Sequence, residues 1–253
     1  MMASGEATQK ASVTAAVLVI GDEILSGRTK DGNSGYIAEY LTKIGVDLRE
    51  VRVVPDIEAE IVAALNALRA RYDYVFTTGG IGPTHDDITA DCVAKAFGVG
   101  ISEDPRAIAL LLERIKPEDL NEARRRMARI PHGAELVLNS VSKAPGFWIG
   151  NVITMAGVPA VMHAMLDEVA PKLATGVKML AESIDAQGLP EGAYAAGLAE
   201  LAKSLPDISL GSYPSLVDGK FKNQIVLRGR DAGALAAAAG KVRAMLAQLG
   251  AGH

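Results

Sequence analysis

At 253 residues, with 49% hydrophobic and 22% charged side chains, the chain has the size and balance of a folded protein with one large domain, or a main domain and a smaller companion, and is too apolar to be disordered. Twenty-six Lys and Arg against 30 Asp and Glu leave a formal net charge of -4, which excludes strong non-specific attraction to nucleic acid. Cys92 is the only cysteine, so an intrachain disulfide and a cysteine-rich metal site are excluded and the reducing cytoplasm is the expected compartment.

Residues 1–12 are small and polar and are expected to form a flexible N-terminus rather than a secretory signal. No later segment has the roughly 18 continuous apolar residues of a membrane span. VTAAVLVI, from Val13 to Ile20, is apolar and partly β-branched and runs into Gly21-Asp22, as a strand buried on both faces does. Asn33 then precedes Ile37, Tyr40, Leu41 and Ile44 at helical spacing, and Gly45 stops that helix. The pattern repeats, with VDLREVRVV as a strand, Pro55-Asp56 as a turn, IEAEIVAALNALRARY as a helix and YDYVFTT as another buried strand. Alternating strands and helices predict a parallel sheet with right-handed crossovers, and ligands gather at the carboxyl ends of such strands.

Past Ile101 two helical stretches are predicted, the second over 118–129 with Arg124-Arg125-Arg126 inside it. ARIPHGAELVLN through FWIGNVITM reads as short strands and turns, and a helix is predicted from about Val158 to Leu180. The Gly-, Asp- and Pro-containing stretch from Asp185 to Gly192 reads as a boundary. Beyond it a helix to about Leu205, strands at DISLGSY and NQIVLRG, and an Ala-rich helix over 231–249 are predicted. The expected fold class is α/β. A three-layer domain around a mostly parallel sheet spans 13–185, and a smaller α+β unit spans 186–253.

The most informative segment is TTGGIGPTHDDIT, from Thr77 to Thr89, between a predicted strand and a predicted helix. Glycines let backbone N–H groups approach a ligand, and a helix N-terminus favours an anion. Thr78, Gly79, Gly80, Gly82, Pro83 and Thr84 are therefore candidate phosphate-binding residues. Asp86 and Asp87 would repel a phosphate unless a cation intervenes, which implies a divalent metal; the competing reading is that they cap the next helix. GDEILSG, with Asp22 and Ser26, and the segment from Asp31 to Ser34 can face the same loop. Asp56 is a further candidate, with a helix N-cap as the alternative. Spacing does not choose between these readings.

GDEILSG, DGNS, VVPD, TTGGIGPTHDDIT, Ala144-Pro145-Gly146-Phe147 and the Met155-Ala156-Gly157-Val158-Pro159 turn together resemble the competence/damage-inducible protein A (CinA) branch of the molybdopterin-binding superfamily, over roughly residues 13–172. The resemblance implies a molybdopterin or nucleotide ligand, Asp56 and Asp87 serving a metal-assisted reaction, and the Asp86-Asp87 pair shared with relatives that hydrolyse a pyrophosphate bond in ADP-ribose or FAD. By motif position, Asp22, Asp86 and Asp87 would hold Mg²⁺ or a transition metal, and Ser26 and Asn33 would contact the ligand. Non-catalytic binding and pterin adenylylation stand as alternatives. A homo-oligomer is also implied, in a stand-alone form without the nicotinamide mononucleotide deamidase domain. Ala156 replaces the proline of the family turn, which leaves that turn more flexible.

Several residues have plainer readings. His85 is either a ligand contact or a solvated neighbour of the carboxylates, while His132 and His163 read as structural. Packing is the commoner fate of Trp148. Arg125 and Arg129 are expected to share one face of a helix, and Cys92 to be a small buried residue.

Overall fold

Strand β1 (Thr14–Ile20) carries the logic of the fold in seven residues. Its side chains alternate in direction, so Ala16, Leu18 and Ile20 enter one buried cluster while Ala15, Val17 and Val19 enter another on the opposite side. The computed structural model describes residues 11–217 and 220–250; the expectation of a flexible N-terminus lies, for residues 1–10, outside the described residues. The chain forms two compact units, Met1–Gly176 and Val177–His253.

In the first unit, β1 is followed by α1 (Asp22–Leu25), α2 (Asn33–Ile44), β2 (Asp47–Val54), α3 (Glu58–Arg71), β3 (Tyr74–Thr78) and α4 (Thr89–Phe97). Then come β4 (Ile101–Glu103), α5 (Pro105–Leu112), α6 (Glu122–Arg126), β5 (Arg129–Pro131), β6 (Glu135–Val137), β7 (Gly146–Ile149), β8 (Val152–Met155) and α7 (Pro159–Val169). Six strands make one sheet in the order β2-β1-β3-β8-β7-β6. β1 is parallel to β2 and β3, and β3 to β8, whereas β7 is antiparallel to both of its neighbours. Helices cover both faces. Ile61, Leu65 and Leu68 of α3 and Val93 of α4 pack on one side, and Ile37 and Leu41 of α2 with Met162 and Leu166 of α7 on the other. Each such buried side chain contributes about 1.5–3 kcal/mol. The mostly parallel three-layer α/β domain expected from the sequence is what forms.

Register aligns the strand ends: Ile20 pairs with Val54, Val19 with Thr78, and Thr78 with Met155. The loops that follow β1, β2, β3 and β8 therefore leave one edge of the sheet side by side.

Three sequence expectations are corrected. The helix predicted over 158–180 ends at Val169, where Ala170–Lys172 tightens into a 3-10 turn around Pro171, which cannot continue a helix. The helix predicted over 118–129 is only Glu122–Arg126, capped by the Asn121 side chain, and Arg129 lies on β5, so Arg125 and Arg129 share no helix face. At α2 it is Asp31, not Asn33, that caps: its Oδ1 accepts from the N–H groups of Asn33 (2.9 Å) and Ser34 (3.1 Å).

The second unit contains β9 (Leu180–Asp185), α8 (Glu191–Ser204), β10 (Ser209–Tyr213), β11 (Leu216–Val217), β12 (Lys220–Phe221), β13 (Gln224–Gly229) and α9 (Ala232–Gly250). An antiparallel sheet of order β10-β13-β9 shares its core with α8 and α9 through Tyr194, Ile225, Leu227, Ala238 and Val242. The α+β character agrees with the expectation. The division falls before β9, earlier than the sequence boundary near 185, because β9 pairs with β13. Only Ile184 of LAESID is buried, so this one-sided strand lacks the continuous apolar run that makes β1 legible. No described helix is long and apolar enough to cross a membrane.

Candidate functional site

The glycine loop follows β3 and is shaped by close approach. Gly79 and Gly80 have φ of 100° and 67°, conformations that L side chains rarely adopt. A Cβ on Gly79 would lie 2.1 Å from the Ile20 carbonyl oxygen, and one on Gly80 would lie 2.2 Å from Thr89 Oγ1. Thr89 Oγ1 donates to the Gly79 carbonyl and the Thr89 N–H to the Gly80 carbonyl, both at 3.0 Å. The Gly79 N–H is itself spent on Met155 O at 3.3 Å. The N–H groups of Gly80, Ile81 and Gly82, by contrast, find no acceptor among the described residues.

Asp86 and Asp87 do not cap α4, whose N-cap is Ile88 without a side-chain bond. Asp87 Oδ2 instead accepts from the Thr84 N–H (2.8 Å) and Thr84 Oγ1 (2.5 Å), closing the turn, and Arg126 Nη2 donates to the Asp87 carbonyl at 3.1 Å. Asp56 is not the cap of α3 either, which has Ile57 at its N-cap. Its Oδ2 accepts from the Asp22 N–H at 2.9 Å, tying the loop after β2 to the loop after β1. Burial first, then the Asp22, Glu23 and Asp86 carboxylates, pushes the Asp56 carboxyl above its ordinary range against the opposing Asp22 N–H. The Asp86 carboxyl is held below its range, first by the Thr84 side chain.

These loops border a cleft of about 550 Å³, within the range of small-molecule sites. Of the candidate residues, Gly79, Gly80, Gly82, Pro83 and Asp87 line it, joined by Glu23, Thr29, Ile81, Met127, Ser142 and the turn from Ala156 to Pro159. Thr78 and Asn33 line an adjoining recess of about 80 Å³ that shares Glu23, Thr29, Gly79, Gly157 and Pro159 with the cleft. Asp22, Ser26, Asp56, Thr84 and Asp86 are not in either lining; Ser26 Oγ donates to the Glu23 carbonyl at 3.3 Å. Glu23 was legible within GDEILSG, whereas Met127 and Ser142 come from segments with no motif of their own. The Ala156 N–H meets Met165 Sδ at 3.4 Å, a contact a proline there would forgo.

No three His, Cys, Asp or Glu side chains among the described residues are grouped to hold a metal ion. Of the three carboxylates named by motif position, Asp87 has Oδ2 committed to Thr84 and Asp86 has a side chain that is 62% exposed. The donor chemistry does fit a partly hydrated hard cation, since all the groups are carboxylates and their mutual repulsion is already felt at Asp56. Mg²⁺ commonly binds one or two carboxylates and completes its shell with water and phosphate.

The remaining candidates fall away from the cleft. The His85 side chain is 99% exposed, 3.8 Å from Asp86. His132 bonds Ser102 and His163 stacks on Tyr36. Trp148 packs edge-on against Tyr74 and donates to Gly150 O. Cys92 is buried, which pushes its thiol up to about 12.

The fold and cleft define a class: an α/β domain that presents a glycine loop at the carboxyl edge of a mostly parallel sheet. The chain belongs to the family described as "Probable molybdopterin binding domain", which it matches over residues 16–175, and residues 178–251 match "FAD synthase, middle domain". A protein of Caldivirga maquilingensis is 38% identical over 187 residues, 71% of this chain and 72% of that one. A "Probable FAD synthase" of Caenorhabditis elegans is 31% identical over 262 residues, 92% of this chain; the match spans 50% of that protein. The crystal structure of "the protein CinA with unknown function" from Thermoplasma acidophilum superposes with a TM-score of 0.61 at 35% identity, covering 64% of this chain and 99% of that one. The first unit is thus CinA-like, as its motifs implied.

Proposed function

We propose that the cleft hydrolyses the pyrophosphate bond of a nucleotide diphosphate such as ADP-ribose or FAD, with a divalent cation as cofactor. The carrying observation is the three unpaired N–H groups of Gly80, Ile81 and Gly82 in a cleft that Glu23 lines and whose neighbouring loops bear Asp56 and Asp86. Such donors suit phosphate oxygens and the charge that grows on them in the transition state. In the reaction water attacks one phosphorus, the bond to the bridging oxygen breaks, the water proton passes by way of a second water to Asp56 on the loop beside the cleft, and the second phosphate leaves with the bridging oxygen. The raised Asp56 carboxyl suits proton capture and the lowered Asp86 carboxyl stays ionised, an arrangement that separates acid-base from electrostatic duties. Asp22, Asp86 and the second oxygen of Asp87 would hold Mg²⁺ or a transition metal, which when bound neutralises phosphate charge. The match to an FAD synthase middle domain supports a dinucleotide substrate.

A second reading, retention of molybdopterin or a nucleotide without turnover, is favoured by the lack of a three-carboxylate group among the described residues. A product assay on ADP-ribose, FAD and ATP with several divalent metals decides. Hydrolysis predicts AMP and ribose 5-phosphate from ADP-ribose, and a loss of about 10²-fold or more for Asp56→Asn. Tight binding without product under any metal would establish the second reading.

A further inference from the structure

Asn33 is 8% exposed, and its Nδ2 donates to the Gly157 carbonyl at 2.8 Å. That bond fixes the orientation of the amide and leaves Oδ1 buried with no partner among the described residues. A buried acceptor without a donor is unfavourable, and native proteins rarely keep one without a reason. Asn33 lines the 80 Å³ recess that shares Gly79 and Gly157 with the main cleft. Glu23 lines both spaces, and its carboxylate makes no hydrogen bond or ion pair with any described residue. Asp31, also in the lining, has Oδ1 committed to two N–H groups. The recess therefore offers Asn33 Oδ1 and the Glu23 carboxylate as unused acceptors, with Lys30 as the cation in its lining.

We infer that this recess is the subsite for the sugar adjoining the diphosphate, with Asn33 Oδ1 and the Glu23 carboxylate accepting hydrogen bonds from its hydroxyl groups. The inference rests on reading the cleft as a nucleotide-diphosphate site. Position favours a sugar over a base, because the recess opens beside the glycine loop and the group next to a nucleotide's diphosphate is its ribose. Lining and size agree. Val19, Ile20 and Ile24 provide aliphatic walls without an aromatic stacking surface, and about 80 Å³ accommodates several hydroxyl-sized groups at roughly 10–15 Å³ each.

The test is equilibrium titration of the full chain with ADP, 2′,3′-dideoxy-ADP and inorganic pyrophosphate. The unaltered protein is expected to bind ADP about tenfold or more tightly than the dideoxy compound. Asn33→Leu should erase that preference while leaving pyrophosphate affinity unchanged, and Glu23→Gln, at an exposed position, should reduce it without disturbing the fold. Equal affinity for ADP and dideoxy-ADP in the unaltered protein overturns the inference whether or not Asn33→Leu folds. So does a parallel loss of ADP and pyrophosphate binding, which would mean that Asn33 only holds the Gly157 turn. A clear hydroxyl preference together with no product from ADP-ribose or FAD under any metal would sink the hydrolytic reading and leave the subsite standing.

Discussion

Gly80 shows how a single residue serves the loop before it serves a ligand. Its φ of 67° and the 2.2 Å approach of a Cβ to Thr89 Oγ1 set two separate penalties on any side chain. We expect Gly80→Ala to lower unfolding free energy in urea by about 1–3 kcal/mol, and by less when it is introduced into a Thr89→Ala background, where the clash is gone and the lost Thr89–Gly79 bond is common to both chains compared. An equal loss in both backgrounds would place the whole penalty in φ. Asp56 makes a second prediction, with its sign set by linkage. A carboxyl whose folded pKa lies above its unfolded one costs nothing below the ordinary carboxylate range, and its cost grows as pH rises through that range. Asp56→Asn keeps an oxygen for the Asp22 N–H and carries no charge. Without added metal it should therefore melt at a higher temperature than the parent at neutral pH, and the gap should close below about pH 4. A gap that widens on acidification would contradict the raised Asp56 carboxyl.

Among the elements, β3 and β8 meet at an unusual pair. Thr77 and Thr154 are register partners, both fully buried, and neither hydroxyl has a partner among the described residues. Thr77→Val replaces an unpaired hydroxyl with a methyl of similar shape. It should leave stability within about 1 kcal/mol of the parent or raise it, measured by the urea midpoint; a loss above about 2 kcal/mol would reveal a bond to Thr77 Oγ1. The loops show where sequence reading stops. TTGGIGPTHDDIT was legible as a candidate anion site because glycine spacing and polar density are local. The duty of Asp87 was not, since whether it caps α4, binds a metal or clasps Thr84 depends on how the turn closes. Asp56 likewise read as a helix cap or a site residue, and only the adjacency of β1 and β2 turned it toward the Asp22 N–H.

At the scale of the molecule, each unit has a hydrophobic core of its own, and every residue lining the cleft and recess lies between positions 19 and 161. A chain ending at Gly176 should therefore fold and bind ADP with the full chain's affinity, whereas one ending at Asp185 should be more prone to aggregate because β9 loses its partner β13. Circular dichroism, titration and light scattering compare the two; an unfolded shorter chain would reject the independence of the first unit. By itself the sequence determined the α/β class, the buried strands and the glycine loop, because periodicity of apolar residues and the demands of tight turns act over a few neighbours. It also carried the family, through motifs that survive as short words. Only the tertiary structure decided that Met127, Ser142 and Gly157 border one cleft, that Asn33 keeps an unpaired acceptor beside it, and that β9 belongs to the second unit. Those outcomes depend on strand order and register, which join segments more than a hundred residues apart and leave no mark within any one of them.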